Sequence, residues 1–439
     1  MKKFMILWAG EMISSIGSGL TAFGLGVYVY RQTGLASATA LVSLLALLPA
    51  VLLGPVAGVL ADRYDRRLLM VAGDSLSALG LLYILVSLIN GRAELLQICI
   101  GVTVSSVFAS LLEPSYRATI TDLLPEEHYS KASGLVQLAS SAKYLISPAL
   151  AGLLMKFSGI RVILLIDICT FFITVQATLA VKKRIAAKEK KCRGRFMEQL
   201  REGFLIITKK RGIFLVILLS AGICFFLTFI QTLSTPMILA FSDEATLGIC
   251  ETICACGMLV SSLILGIVSI KKGYVKMLSL SMFFAGLFMM LFSLRENMII
   301  VGIGGFLFFM AIPFANTGLD ILIRTNIPNE LQGRAWGTIS LISQLGYVLA
   351  NACIGVLADY LFEPAMRKGG ILAGSIGKLI GTGTGRGTAL LIMTGGLALC
   401  IIAVLIYRTK PIRELEKEHP VRICRNINEK IYIKKHFSV

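Results

Sequence analysis

Charge is scarce in this chain. Only 15% of its 439 residues are Asp, Glu, Lys or Arg, against about 25% in soluble proteins, while 56% are hydrophobic and the mean hydropathy is +0.80. This excludes a water-soluble globule, whose interior could not hide so much apolar surface. Histidine is scarcer still. His128, His419 and His436 are the only three, and all fall outside the apolar runs, leaving no nucleophile–base pair or metal cluster for an intramembrane enzyme. No cleavable leader is expected either: the apolar run after Lys2 and Lys3 continues to about Tyr30 without a small-residue cleavage site, so the first helix is expected to stay in the mature protein. Ten cysteines are present, but Cys99, Cys169, Cys224, Cys250, Cys254, Cys256, Cys353 and Cys400 lie inside apolar segments. Cys254-Ala255-Cys256 lacks the spacer and the partner pair of a zinc site. They read as small core residues, and no metal or cofactor is implied.

What the chain does have is length of apolar run. Windows of about 20 residues, enough to cross a bilayer as a helix, predict spans near 4–30, 37–60, 68–90, 94–115, 132–157 and 161–181, then 213–239, 244–270, 275–294, 298–321, 335–362 and 387–407. The expected fold is an all-α integral membrane protein with twelve transmembrane helices. Residues 1–181 form one six-helix bundle and 213–407 a second. The interval 182–212 is too charged to span, and Phe196, Leu200, Phe204 and Ile207 recur at helical spacing, so it reads as an amphipathic cytoplasmic linker on the membrane surface. Residues 408–439 form a basic tail. The net charge of +18 comes from 43 Lys and Arg against 25 Asp and Glu, an excess that suits basic loops facing an anionic leaflet rather than nucleic acid. The termini, the linker and the loops after spans two, four, eight and ten hold 33 of the basic residues and the other side holds 9. Both termini are therefore expected in the cytoplasm of a plasma-membrane protein.

The halves repeat. Pro125, Glu127, Lys131-Ala132, Gly134, Tyr144 and Gly152 recur 203 positions later as Pro328, Glu330, Arg334-Ala335, Gly337, Tyr347 and Gly355, and Gly58 with Arg63 is echoed by Gly266 with Lys271. Each half has an even number of helices in the same order, so the two are parallel repeats about an axis along the membrane normal, a transporter architecture.

Between spans two and three stands Gly58-Val-Leu-Ala-Asp62-Arg63-Tyr-Asp65-Arg66-Arg67. It resembles the G-x-x-x-D-R-x-x-R-R loop signature of the major facilitator superfamily. The run from Trp8 to Ser18, the segment Arg117 to Pro125, Asn329 to Arg334 and the Gly-rich loop 369–387 are similar to its macrolide-efflux and siderophore-exporter branch. The resemblance covers about residues 4–407 and implies a secondary transporter that exports a small molecule against a proton gradient. It assigns gating to Gly58, Asp62, Arg63, Arg66 and Arg67: Asp62 docks on the N-terminus of span eleven, where unpaired N–H groups carry partial positive charge. Gly58 allows close helix approach and the arginines neutralise acids or bind lipid phosphates. The antiporter signature of span five is reduced to Pro148-Ala-Leu-Ala-Gly152, and Glu11 stands where the branch carries an amide.

Ionisable groups inside spans cost at least about 2.5–3.5 kcal/mol at the centre, so each is a functional candidate. Glu11 shares a face with Ser15 and Ser18, a polar stripe expected to line the cavity. Lys143 lies near the midplane of span five between Ser140 and Ser147 and must either be paired or lose its charge by desolvation; a structural pair, with Asp167 as a possible partner, stands beside a substrate role. Asp74, Glu113 and Asp320 fall within a turn or two of the cytoplasmic ends, where snorkelling makes charge tolerable, and are read as structural. Glu251, Gln231, Asn316, Gln344 and Asn351 complete the proton and substrate candidates. The expected partners are a small-molecule substrate, protons and membrane lipid. Two other readings stand beside a proton-coupled drug exporter: a dedicated siderophore or lipid-like metabolite exporter, and a non-transporting receptor signalling through the basic tail.

Overall fold

The computed structural model describes residues 2–125, 128–181, 211–268, 272–327 and 329–417; the amphipathic linker expected at 182–212 lies, but for its last two residues, outside them. Among the described residues there are helices and no strands, and twelve helices are long and apolar enough to cross a membrane. In the first half the spans are Lys2–Thr33, Ala36–Arg63, Arg66–Ile89, Leu95–Arg117, Tyr129–Phe157 and Ile160–Ala180; in the second, Arg211–Leu239, Glu244–Ile267, Tyr274–Phe292, Met298–Asn326, Asn329–Leu357 and Arg386–Arg408. They are numbered 1 to 12 below.

Span 4 covers its apolar run, as expected to about 115, but not as one helix: the first part ends at Ala109 and a second helix, Leu112–Leu123, follows after a two-residue turn. Pro114 explains the break: it has no N–H to offer the carbonyl of Ser110, and its ring collides with that carbonyl in a continuous helix. Ser110 closes the first part, its hydroxyl donating to the Val107 carbonyl at 2.6 Å.

The main helix contacts within one half have their counterparts in the other. Span 1 packs on 5 and 6 as 7 packs on 11 and 12; span 3 packs on 4 and 6 as 9 packs on 10 and 12; span 2 packs on 4 as 8 packs on 10. Small residues let these helices touch. Ser77 and Ser105 share a hydrogen bond of 2.7 Å between spans 3 and 4, one turn from where the Gly80 and Gly101 backbones meet. Large apolar side chains such as Leu96, Leu263, Ile267 and Ile299 point outwards. Lipid is the solvent that makes this arrangement stable, because the helices satisfy their own backbone groups.

The halves meet through spans 5 and 8 and through spans 2 and 11. We call the end that carries residues 63–66 the basic face. At the opposite face Gly152 lies against Glu244 and Ala245, and Gly355 against Ser37 and Ala40. Towards the basic face, Gly58 on span 2 and Gly266 on span 8 have open space beside them. Beyond span 12 a short helix, Lys410–Lys417, folds back across the second half. Asn326 donates to the Leu415 carbonyl at 3.0 Å, and Glu416 accepts from the N–H groups of Gly273 and Tyr274 at the start of span 9.

Candidate functional site

The polar interior of the first half is built on span 1. Its small residues let spans 5 and 6 approach, and hydroxyls on those spans bond to its carbonyls: Ser147 donates to Ile16 at 2.9 Å and Thr174 to Gly10 at 3.2 Å. Ser and Thr in an apolar span gain by such bonds, since lipid offers none. Asp167 on span 6 leans on Gly17, where an added Cβ would stand 2.7 Å from its Oδ1, and it accepts a bond from Thr170 at 3.4 Å.

Around this seam four ionisable groups gather. Glu11, half-buried with Ser15 and Ser18, interacts electrostatically with Lys143 and Glu113. Lys143 acts on Asp167 as well, yet makes no ion pair with it among the described residues, so the expected Lys143–Asp167 pair is a proximity rather than a bridge. Asp74 corrects the sequence reading. It does not snorkel: it is 1% exposed, its Oδ2 has no hydrogen-bond partner among the described residues, and it interacts electrostatically with Glu11 and Asp167. Glu113, by contrast, lies on the surface and pairs with Arg117 one turn on. Asp320 is exposed too. The signal for Asp74 was its place nine residues into span 3, too deep for a carboxylate to reach the headgroups with its one-carbon stem. Lys143 thus acts on two of the three carboxyls, Glu11 and Asp167, while Asp74 interacts with those two acids. No three His, Cys, Asp or Glu residues stand close enough to hold a metal among the described residues.

In the second half, Glu251 is half-buried and accepts from Ser234 at 3.2 Å. Asn351 is buried and joins spans 7 and 11, accepting from Thr232 at 2.9 Å and donating to the Tyr347 carbonyl at 3.1 Å. Its amide is spent on packing. Gln231 and Asn316 are exposed despite their depth and Gln344 is half-buried, so these three keep free polar surface.

At the signature loop, Asp65 caps span 3 through the Arg67 N–H at 3.0 Å and Arg66 donates to the Ala61 carbonyl at 3.0 Å, stitching the end of span 2 to the start of span 3. Arg63 is exposed. Gly58 faces open space, so the close approach expected there is not made in this conformation. The side chain of Asp62 lies outside the described residues.

The model of the Major Facilitator Superfamily matches residues 7–351. Among curated proteins, Macrolide efflux protein A of Streptococcus pyogenes is 26% identical over 368 residues, covering 81% of this chain and 89% of that protein. The Staphyloferrin A transporter of Staphylococcus aureus is 23% identical over 354 residues, covering 80% and 89%. Among solved structures, the nucleoside transporter NupG superposes with a TM-score of 0.68 at 14% identity, covering 93% of this chain and all of that one. A bacterial homologue of the iron transporter ferroportin superposes with 0.69 at 15%, covering 92% and 98%. At such identities the two structures bear on the fold alone.

Proposed function

The chain belongs to the Major Facilitator Superfamily, and on that premise we propose that it exports an amphiphilic, drug- or macrolide-like small molecule by alternating access coupled to protons. It is a multi-pass membrane transporter and not an enzyme. The observation that carries the finer reading is the group of interacting acids Glu11, Asp74 and Asp167, half-buried or buried, with Lys143 acting on Glu11 and Asp167 and with Ser15 and Ser18 half-buried on the face of Glu11. A set of carboxyls inside an apolar span costs free energy unless it is used, and proton uptake and release is a use that needs no further group. Gln231, Gln344 and Asn316 supply the second half's polar contribution to a substrate site at the midplane, and the Phe225, Phe226 and Phe229 cluster supplies apolar surface. The resemblance to Macrolide efflux protein A supports a drug-like substrate. The relative named Staphyloferrin A transporter supports a second reading, a dedicated siderophore-type metabolite exporter.

The basic face is the cytoplasmic one in this proposal, and the membrane is the plasma membrane. Asp62 would then lock the cytoplasmic ends when the outer face opens, with Arg63, Arg66 and Arg67 holding the loop against anionic lipid.

Flux in proteoliposomes with an imposed pH gradient tests the proposal. Uphill movement of cationic or macrolide-like compounds in the wild type, lost in Glu11→Gln while downhill exchange persists, is the expected result. Wild-type uphill flux in Glu11→Gln would remove Glu11 from coupling. Flux without any response to the pH gradient would remove protons altogether.

A further inference from the structure

Span 2 begins at the opposite face without a cap of its own. Leu35 stands at its N-cap position, and a leucine side chain accepts no hydrogen bond. The free N–H groups of a helix start need an acceptor, and here it comes from the other half of the molecule. Asp359, in a single π-helical turn that follows span 11, accepts from the Ala36 N–H through Oδ1 at 3.0 Å and from the Ser37 N–H through Oδ2 at 2.7 Å. One turn before it on the same face, Gly355 packs on Ser37.

The repeat offset of 203 carries Asp359 back to Lys156 and Gly355 back to Gly152. Gly152 packs on Glu244 and Ala245, the start of span 8, as Gly355 packs on the start of span 2. Lys156 reaches the same helix start by different chemistry. Span 8 has its own cap, Asp243, which accepts from the Thr246 N–H at 2.9 Å, and the Lys156 ammonium donates to the Asp243 Oδ2 at 2.8 Å. Beside it Arg31, at the end of span 1, pairs with Glu244 at 2.8 Å. The same join is thus made twice about the pseudo-twofold axis. On one side the acid crosses between the halves to an uncapped helix; on the other the acid is local and a cation crosses to it.

We propose that Asp359 and Lys156 are the two arms of a lock that holds the opposite face closed, and that Asp359 is its stronger arm. This rests on the alternating-access reading. Asp359 accepts from two backbone N–H groups of a helix start that has no side-chain cap of its own, whereas the Lys156–Asp243 pair is half exposed and leaves the cap of span 8 intact when it parts. Exposed pairs contribute little. Spans 2 and 11 run in opposite directions, so each offers its N-terminus to the other's C-terminal end. Asp359 uses that arrangement at one face and, by the family resemblance, Asp62 uses it at the other. The two joins form in different conformations, and their difference in free energy sets the population of each.

The test uses the full chain in lipid nanodiscs, with spin-label pairs at Arg92 and Arg295 on the opposite face and at Tyr64 and Lys272 on the basic face, all four exposed. Distance distributions are measured for the wild type, Asp359→Asn, Asp359→Glu and Lys156→Gln. Asp359→Asn keeps one acceptor oxygen but loses the charge and turns an NH2 toward the second N–H group, which is expected to raise the ratio of opposite-face-open to opposite-face-closed molecules about fivefold to thirtyfold. Lys156→Gln should raise it less, and Asp359→Glu should restore part of the closed population. A lower melting temperature with unchanged distributions would make Asp359 an ordinary structural cap and overturn the proposal, as would a larger shift from Lys156→Gln. The distances require no substrate, so absence of wild-type flux would count against the transport reading and leave the lock standing.

Discussion

Adding one methyl group at Gly355 should open the opposite face. An ideal Cβ there stands 2.5 Å from the Ser37 Cα and 2.9 Å from the Ala40 Cβ, where ordinary contact begins at 3.4 Å. The obstructing atom is backbone at the start of span 2, so no side chain can swing away and spans 2 and 11 must part by about 0.9 Å. Overpacking of this kind costs roughly 1–3 kcal/mol, and it is felt only in the conformation in which the two helices touch. The gain in helix propensity from Gly to Ala, about 1 kcal/mol, is present in every conformation and cancels from the ratio. Gly355→Ala should therefore lower the closed-to-open ratio at that face by about 5- to 150-fold, with little loss of melting temperature. Gly80→Ala is the contrast. Its Cβ would meet the Gly101 carbonyl and, at 2.6 Å, the Ser105 nitrogen, both within the first half. That collision exists in all conformations, so Gly80→Ala should destabilise the fold without moving the ratio. Spin-label distances across the opposite face, read together with melting temperature, separate the two. Equal distributions in Gly355→Ala and wild type, or an equal shift in Gly80→Ala, would refute the reasoning.

The Lys156 hydrogen bond, with further bonds from Thr246, holds the Asp243 carboxyl well below the usual carboxylate range. A lowered value in the closed state means that this arm is fully present above the ordinary carboxylate range and is lost only as pH falls through the lowered value. Acidification from pH 8 to 5 should therefore leave the closed population unchanged on this account; a pH-dependent opening that vanishes in Asp243→Asn would contradict it. Glu416→Ala should remove the acceptor for the first N–H groups of span 9 and lower stability by about 0.5–2 kcal/mol, seen as a lower melting temperature with unchanged distance distributions. Single-cysteine labelling should find position 190 inaccessible from outside intact cells; labelling there would reverse the proposed topology.

The spans were legible because bilayer thickness is a local demand: each helix must carry its own run of apolar residues whatever its neighbours do. The break after Ala109 was not read from the sequence, because the length of the apolar run concealed Pro114. Offsets of 203 between residues such as Tyr144 and Tyr347 carried the repeat, because two copies of one bundle keep the same small residues where their helices touch. Glu11 with its two serines could be placed on one face by periodicity alone. Asp74 could not be understood that way. Its position along span 3 measured depth, while its burial depends on which helices stand around span 3. Asn351 looked like a cavity amide until span 7 supplied Thr232 as its partner.

The join between the halves shows the same division. Lys156 and Asp359 occupy equivalent positions in the repeat, yet nothing in the local sequence of either says what it binds. Asp359 reaches a helix start 323 residues away, and Lys156 an acid 87 residues away. Apolar length, charge asymmetry and repeat spacing belong to the chain itself, and they determined a twelve-span protein in two parallel halves. Which buried acid stands unpartnered, and which helix start is capped from the other half, is decided only when the bundles pack. A hydrogen bond needs its two atoms within about 3 Å, and only the folded structure brings together residues so far apart along the chain.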